Sequence, residues 1–215
     1  MAGTQQGLVV VFGGSGFVGR HIVRRLAKDG FKLRVVMRRP NEALFLKTAG
    51  RTGQIELLQG NIRDETSSGA ALQGASAVIN AVGILYETGP QKFDAVQSAG
   101  TARLATLAAE QGLDRFIQIS AIGADAGSAS AYARSKAEGE AAILAACPQA
   151  HVLRPSIVVG PEDDFFNRFA RMAQISPALP LVGGGLTRYQ PVGVFDVAQA
   201  VAACLDGAPS GIYAL

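Results

Sequence analysis

The chain has 215 residues, 48% of them apolar and 17% charged, which supplies a core for one generous domain and excludes a disordered chain. Glycine contributes 26 residues beside only 9 prolines, with no triplet period; this excludes collagen and flexible linkers and points to turns and close backbone approaches. The net charge of +3 is uneven: residues 1–64 hold 11 Lys/Arg against 4 Asp/Glu, and residues 65–215 hold 9 against 13, so the basic third suits an anionic ligand, a phosphate-bearing partner or an acidic surface.

In chain order, the run 8–12 (LVVVF) reads as a buried strand ending in glycines. Val18, Ile22, Val23 and Leu26 then recur at helical spacing over 17–29, and Gly30 stops them. Further strands are expected at 33–37, 55–58, 77–82 and 116–120, with helices at 101–111 and 130–146. A sixth strand opens at 152–153, its apolar character extending past Pro155 through 157–159; Asp196 is expected to cap a helix over 197–205, and 212–215 reads as a last strand. Apolar strands separated by helices predict a doubly wound parallel α/β sheet, covered on both faces, in a single domain, with 156–192 as a small, irregular substrate-side segment. The apolar ending at Leu215 suggests that the natural chain continues.

No apolar run reaches the ~18 residues of a spanning helix, and the first seven residues resemble no secretory leader. Cys147 and Cys204 are too few for a disulfide framework, and with His21 and His151 as the only histidines no metal site is expected. A reducing, cytoplasmic location follows, with membrane association only through a partner. His21 reads as a surface or packing residue, and Glu162, Asp163 and Asp164 as a solvated acidic run.

The chemistry begins at Gly13-Gly-Ser15-Gly16-Phe17-Val-Gly19. Between a strand and a helix, Gly13 permits the tight turn, Gly16 lets the backbone reach a pyrophosphate, and Gly19 lets helix and strand pack closely. The helix N-terminus adds free N–H groups and a partial positive charge, with Arg20 nearby as a further contact for the pyrophosphate. At the end of the second strand, where an NAD binder usually places a carboxylate for the ribose 2′-OH, the chain has Arg38-Arg39-Pro40. A guanidinium fork suits a 2′-phosphate, so NADP is preferred and NAD remains possible. Nucleic acid is disfavoured because the same arginines already have a phosphate to serve.

Tyr132 and Lys136 stand at i and i+4 on one helix face. An ammonium beside a phenol lowers its pKa, which suits Tyr132 as an acid/base and Lys136 as its tuner and a ribose ligand.

The glycine turn, Asn80-Ala81-Val82-Gly83 and Tyr132-x-x-x-Lys136, in this order, resemble the extended or atypical short-chain dehydrogenase/reductase superfamily. Arg38-Arg39-Pro40, the run 135–140 (SKAEGE), the run 154–164 (RPSIVVGPEDD), Gln190-Pro191-Val192 and Asp196-Val197-Ala198 are similar to the branch holding the nucleotide-binding accessory subunit of respiratory complex I and bacterial epimerase/dehydratase relatives. The resemblance implies a parallel sheet of the Rossmann type binding NAD(P), with Gly13, Ser15, Gly16, Phe17, Arg38, Asn61, Ile62, Ala81, Val82, Gly83, Tyr132 and Lys136 as cofactor neighbours and Asn61 where Asp usually meets the adenine. It places Ala121 where the superfamily carries its active Ser or Thr, and Gln97 where an active-site Asn is common. Two functions follow: hydride transfer or epimerase/dehydratase-type chemistry on a carbonyl or carbinol, or a non-catalytic nucleotide holder with a quinone-linked or respiratory partner.

Overall fold

The computed structural model describes residues 7–176, 178–180 and 182–215. Residues 1–6, on which the expectation of no secretory leader rests in part, and positions 177 and 181 of the irregular segment lie outside them.

Seven strands form one parallel sheet: β1 (Leu8–Phe12), β2 (Lys32–Met37), β3 (Ile55–Gln59), β4 (Ala75–Asn80), β5 (Phe116–Ile119), β6 (His151–Arg154) and β9 (Gly211–Ala214), in the order β3-β2-β1-β4-β5-β6-β9. The order reverses between β1 and β4, which opens a crevice at their C-terminal ends. Alternation along β1 shows why both faces are covered. Val9 and Val11 enter the core beneath α1 (Phe17–Lys28) and α6 (Val194–Leu205), whereas Val10 and Phe12 enter the opposite core with α2 (Glu65–Leu72), α3 (Ala99–Glu110) and α4 (Ala131–Ala146).

Several expectations are corrected here. The sixth strand stops at Arg154; Val158–Val159 form a separate strand, β7, paired in parallel with β8 (Val192–Gly193) in a two-stranded sheet. The segment 156–192 also holds a helix, α5 (Phe166–Ile175). Asp196 is not a cap: α6 begins two residues earlier with Gly193 at the N-cap, placing Asp196 in the first turn. Helix α2 has no apolar period in ETSSGAAL to announce it, although Asp64 caps it by accepting the Ser67 N–H at 2.7 Å. A 3₁₀ stretch, Pro40–Ala49, follows β2, and a π turn, Asp94–Ser98, leads into α3.

Candidate functional site

The glycine turn lies where β1 meets α1. Gly13 has φ +76°, a conformation L side chains rarely adopt, and a Cβ there would stand 2.8 Å from the Ala81 carbonyl carbon. A Cβ on Gly19 would stand 2.2 Å from the Gly13 carbonyl oxygen, so this glycine serves the helix–turn packing. Gly16 donates its N–H to Gly13 O at 3.1 Å and forms the N-cap of α1, whose first turn has no side-chain cap and no acidic residue. These features suit an anion bound to the helix terminus. Arg20 braces the turn from behind, donating to Ser15 O at 3.1 Å and Gly16 O at 3.3 Å; its guanidinium lies 4.9 Å from the Phe45 ring centroid.

A cleft of about 210 Å³ opens at this turn. Among its walls are Gly13, Ser15, Gly16, Arg38, Asn61, Ile62, Ala81, Val82 and Gly83, drawn from the ends of β1, β2, β3 and β4. Gly60, Ile84, Gln91 and Val96 also line it, and sequence reasoning had not singled them out. Asn80 Oδ1 accepts the Val82 N–H at 3.1 Å while its amide nitrogen donates to Thr101 and Gln118, which fixes the chain as it leaves β4. Asn61 Oδ1 accepts the Arg63 N–H at 3.1 Å, so the oxygen expected to face an adenine closes a local turn as well. Arg39 lines an adjoining hollow of about 330 Å³ with Ser15, Arg20 and Arg38. Arg39 pairs with Glu42 at 3.1 Å, whereas Arg38 has no acidic partner among the described residues. Phe17 packs behind the turn, edge-on to His21.

Gly83 joins this cleft to the Tyr132–Lys136 corner: a Cβ there would come within 3.4 Å of Lys136 Nζ and 3.5 Å of Gln97 Oε1. Lys136 is buried, donates to Ile119 O at 3.3 Å, and is brought down to about 8 by desolvation, with Glu140 opposing the change. Its Nζ lies 5.9 Å from the Tyr132 ring centroid. The expected lowering of the phenol is corrected: burial raises Tyr132. Phe93 packs edge-on against the Tyr132 ring at 5.7 Å.

Ser120 is buried and its hydroxyl donates to Glu140 Oε1. Glu140 also receives the Arg154 guanidinium, Nε at 3.0 Å and Nη2 alongside, and this hydrogen bond raises Arg154. Ser120 is therefore committed away from the cleft, and Ala121 follows it with a bare methyl. Gln97 donates to Ser135 Oγ at 3.2 Å, leaving its buried Oε1 without a partner among the described residues.

The profile of the NAD dependent epimerase/dehydratase family matches residues 9–214. The chain belongs to that family. Over 208 residues it is 39% identical to "NADH dehydrogenase [ubiquinone] 1 alpha subcomplex subunit 9, mitochondrial" of Arabidopsis thaliana, covering 95% of this chain and 52% of that protein. Over 182 residues it is 35% identical to "Ceramide reductase" of Caulobacter vibrioides, covering 85% of this chain and 56% of that one. The chain thus spans about half the length of these curated relatives. The structure of the Bordetella bronchiseptica enzyme WbmH with NAD+ superposes with a TM-score of 0.78 at 18% identity, over 98% of this chain and 76% of that one, showing the shared fold.

The acidic run is not solvated in the way its composition suggests. Glu162 contacts His21 Nε2 at 2.7 Å, with Arg20 and Arg24 close by, and these partners, His21 foremost, hold its carboxyl below the usual range. Asp163 is buried and accepts the N–H groups of Phe166 and Asn167 at the start of α5. His21 is buried among Phe17 and Phe195. Among the described residues no group of three or more His, Cys, Asp or Glu could hold a metal ion, and no helix is long and apolar enough to cross a membrane.

Proposed function

We propose that the chain binds NADP(H) in the β1–β4 cleft and keeps it as a held ligand within a larger assembly, with hydride turnover absent or slow. The backbone of Gly13–Gly16 and the α1 N-terminus hold the pyrophosphate, the ends of β3 and β4 hold the adenosine, and Arg38 holds the 2′-phosphate. The observation that carries this reading is at β5: Ser120 is spent on Glu140 and Ala121 offers no hydroxyl. Losing one donor to a developing oxyanion costs ~2.7–4 kcal/mol, or roughly 10²–10³ in rate. The relative named as an NADH dehydrogenase subunit supports a respiratory or quinone-linked partner, which is what would bring this chain to a membrane. The test is to identify the nucleotide that leaves purification with the protein, and its redox state. Retained NADP(H) without turnover on ketones, sugars or quinones supports the reading; rapid turnover defeats it.

A second reading is carbonyl reduction, favoured by the Tyr132–Lys136 pair and by the relative named a ceramide reductase. A bound nicotinamide supplies or accepts hydride in such chemistry. Tyr132 Oη would pass the proton to the carbonyl oxygen, and Lys136 would orient the nucleotide ribose. Under this reading, Tyr132→Phe abolishes turnover on the substrate found.

A further inference from the structure

Gln91 lines the cleft, and with Arg63 beside it is left unexplained by the glycine and Tyr–Lys motifs. Residues 87–93 turn back on themselves beside the cleft as a strap, with Gln91 in the cleft wall. Thr88 and Gln91 exchange backbone hydrogen bonds of 3.1 and 2.9 Å, and the Phe93 N–H donates to Glu87 at 2.9 Å. The Gln91 side chain faces only guanidinium donors there, so its amide oxygen belongs on that side. In that orientation it accepts from Arg38 Nη1 at 3.0 Å and Arg63 Nη2 at 3.1 Å. Arg63 grips the strap again by donating to Pro90 O at 3.0 Å.

We propose that Gln91 is a specificity-determining positioning residue, which bridges Arg38 and Arg63 and holds the Arg38 guanidinium at the cleft with its other N–H groups presented to a ribose 2′-phosphate. This rests on the NADP(H) reading above. Gln91 occupies Arg38 through one N–H only, and an arginine has five, so the fork that matches a phosphate stays available. Because the amide is neutral, it orients the cation without cancelling its charge, as a glutamate there would. A long, exposed arginine side chain otherwise loses rotamer freedom on binding; fixing it beforehand favours the ligand that uses it. NADH, lacking the 2′-phosphate, gains nothing from that arrangement.

The experiment is calorimetric titration of NADPH and NADH into the wild type, Gln91→Leu, Gln91→Glu and Arg38→Ala, with melting curves to establish folding. Gln91→Asn, one methylene short of bridging both guanidinium groups, replaces the leucine variant if that one folds poorly. Gln91→Leu should weaken NADPH roughly tenfold, the scale of one charged hydrogen bond, with NADH changed less than about twofold. Gln91→Glu should reverse the preference toward NADH, since its carboxylate repels the phosphate and neutralises Arg38. Equal weakening of both nucleotides would mean that the strap only covers the cleft, and would overturn the proposal, as would no change in either. If Arg38→Ala loses the NADPH preference while the Gln91 variants keep it, the inference about Gln91 alone fails. If the wild type and Arg38→Ala show no preference, the NADP(H) reading fails with it.

Discussion

The two ends of the cleft are built from different materials. At the β1–α1 turn the binding groups are backbone, and their geometry is fixed by contacts that admit no side chain: a Cβ on Gly19 would lie 2.2 Å from Gly13 O and 2.7 Å from Gly14 Cα. At the β5–α4 end the groups are side chains with rotamers of their own. There the Ser120 hydroxyl has turned to Glu140, Gln97 bonds Ser135, and Lys136 bonds Ile119 O. Changing one side chain at this end removes a chemical group and leaves the fold standing. Changing a glycine at the other end removes the site together with the local packing. A chain built this way can lose catalysis by single steps while nucleotide binding persists, which is the arrangement proposed for this one.

The largest effect that would sharpen this contrast is expected at Gly19→Ala. Both obstructing atoms are backbone, so the turn must move; the cost is about 3 kcal/mol. NADPH affinity should fall more than roughly 100-fold, read by calorimetry beside a thermal melt. An unchanged affinity would break the contrast at its stronger end.

Glu140→Leu should come next. It strands Arg154 and leaves Ser120 without its acceptor in a buried setting. Removing one partner of a buried pair typically costs about 3–5 kcal/mol, and the part of Arg154 that stays in water lowers this to about 2–3 kcal/mol. Urea denaturation reads the loss. The nucleotide affinity of the folded fraction should change less than about threefold, because Glu140, Ser120 and Arg154 form no part of the β1–β4 cleft wall.

The pH dependence of stability isolates Lys136. Its value falls from 10.5 unfolded to about 8 folded. Below pH 8 both states hold the proton, and the burial penalty is constant. Between about 8 and 10.5 the unfolded state keeps the proton that the folded state has released, so this group makes stability rise with pH. Burial works in the opposite sense at Cys204, raised from 9.0 to about 11, and at Tyr132, so the overall curve mixes signs. The wild type minus Lys136→Met difference, followed by denaturation from pH 7 to 10.5, should rise across that window. A flat difference would contradict the buried, desolvated position.

Tyr132→Phe should have the smallest effect on binding. Removing one phenol at the side-chain end should leave NADPH affinity within about twofold. A large loss would mean that the two ends act as one binding unit.

The sequence made the backbone end of this site readable and the side-chain end only partly so. Glycines at 13, 16 and 19 between an apolar strand and an amphipathic helix leave little freedom, and the presence of β1, β2 and β4 follows from runs apolar on both faces. Ala121 at the position the resemblance assigns to a serine could be read off the sequence, but the turning of the Ser120 hydroxyl to Glu140, just past the end of β5, could not. The tyrosine's environment did not follow: a lysine four residues away suggested a lowered phenol, but burial of the ring, absent from linear spacing, raises it. Asp196 looked like a cap because helix starts favour Asp, yet Gly193 takes that position and the first turn absorbs the acid. Gln91 and Arg63 carried no signal, since their meeting with Arg38 depends on the path of a strap between β4 and α3. The acidic run at 162–164 misled because its partners, His21, Arg20 and Arg24, lie on α1, about 140 residues earlier in the chain.

Titration calorimetry of NADPH into the folded wild-type chain tests the central claim most directly. One nucleotide per chain, bound more tightly than NADH in a parallel titration, is the predicted result. No heat with either nucleotide at millimolar concentration, on material shown to be folded by its cooperative melt, would contradict it.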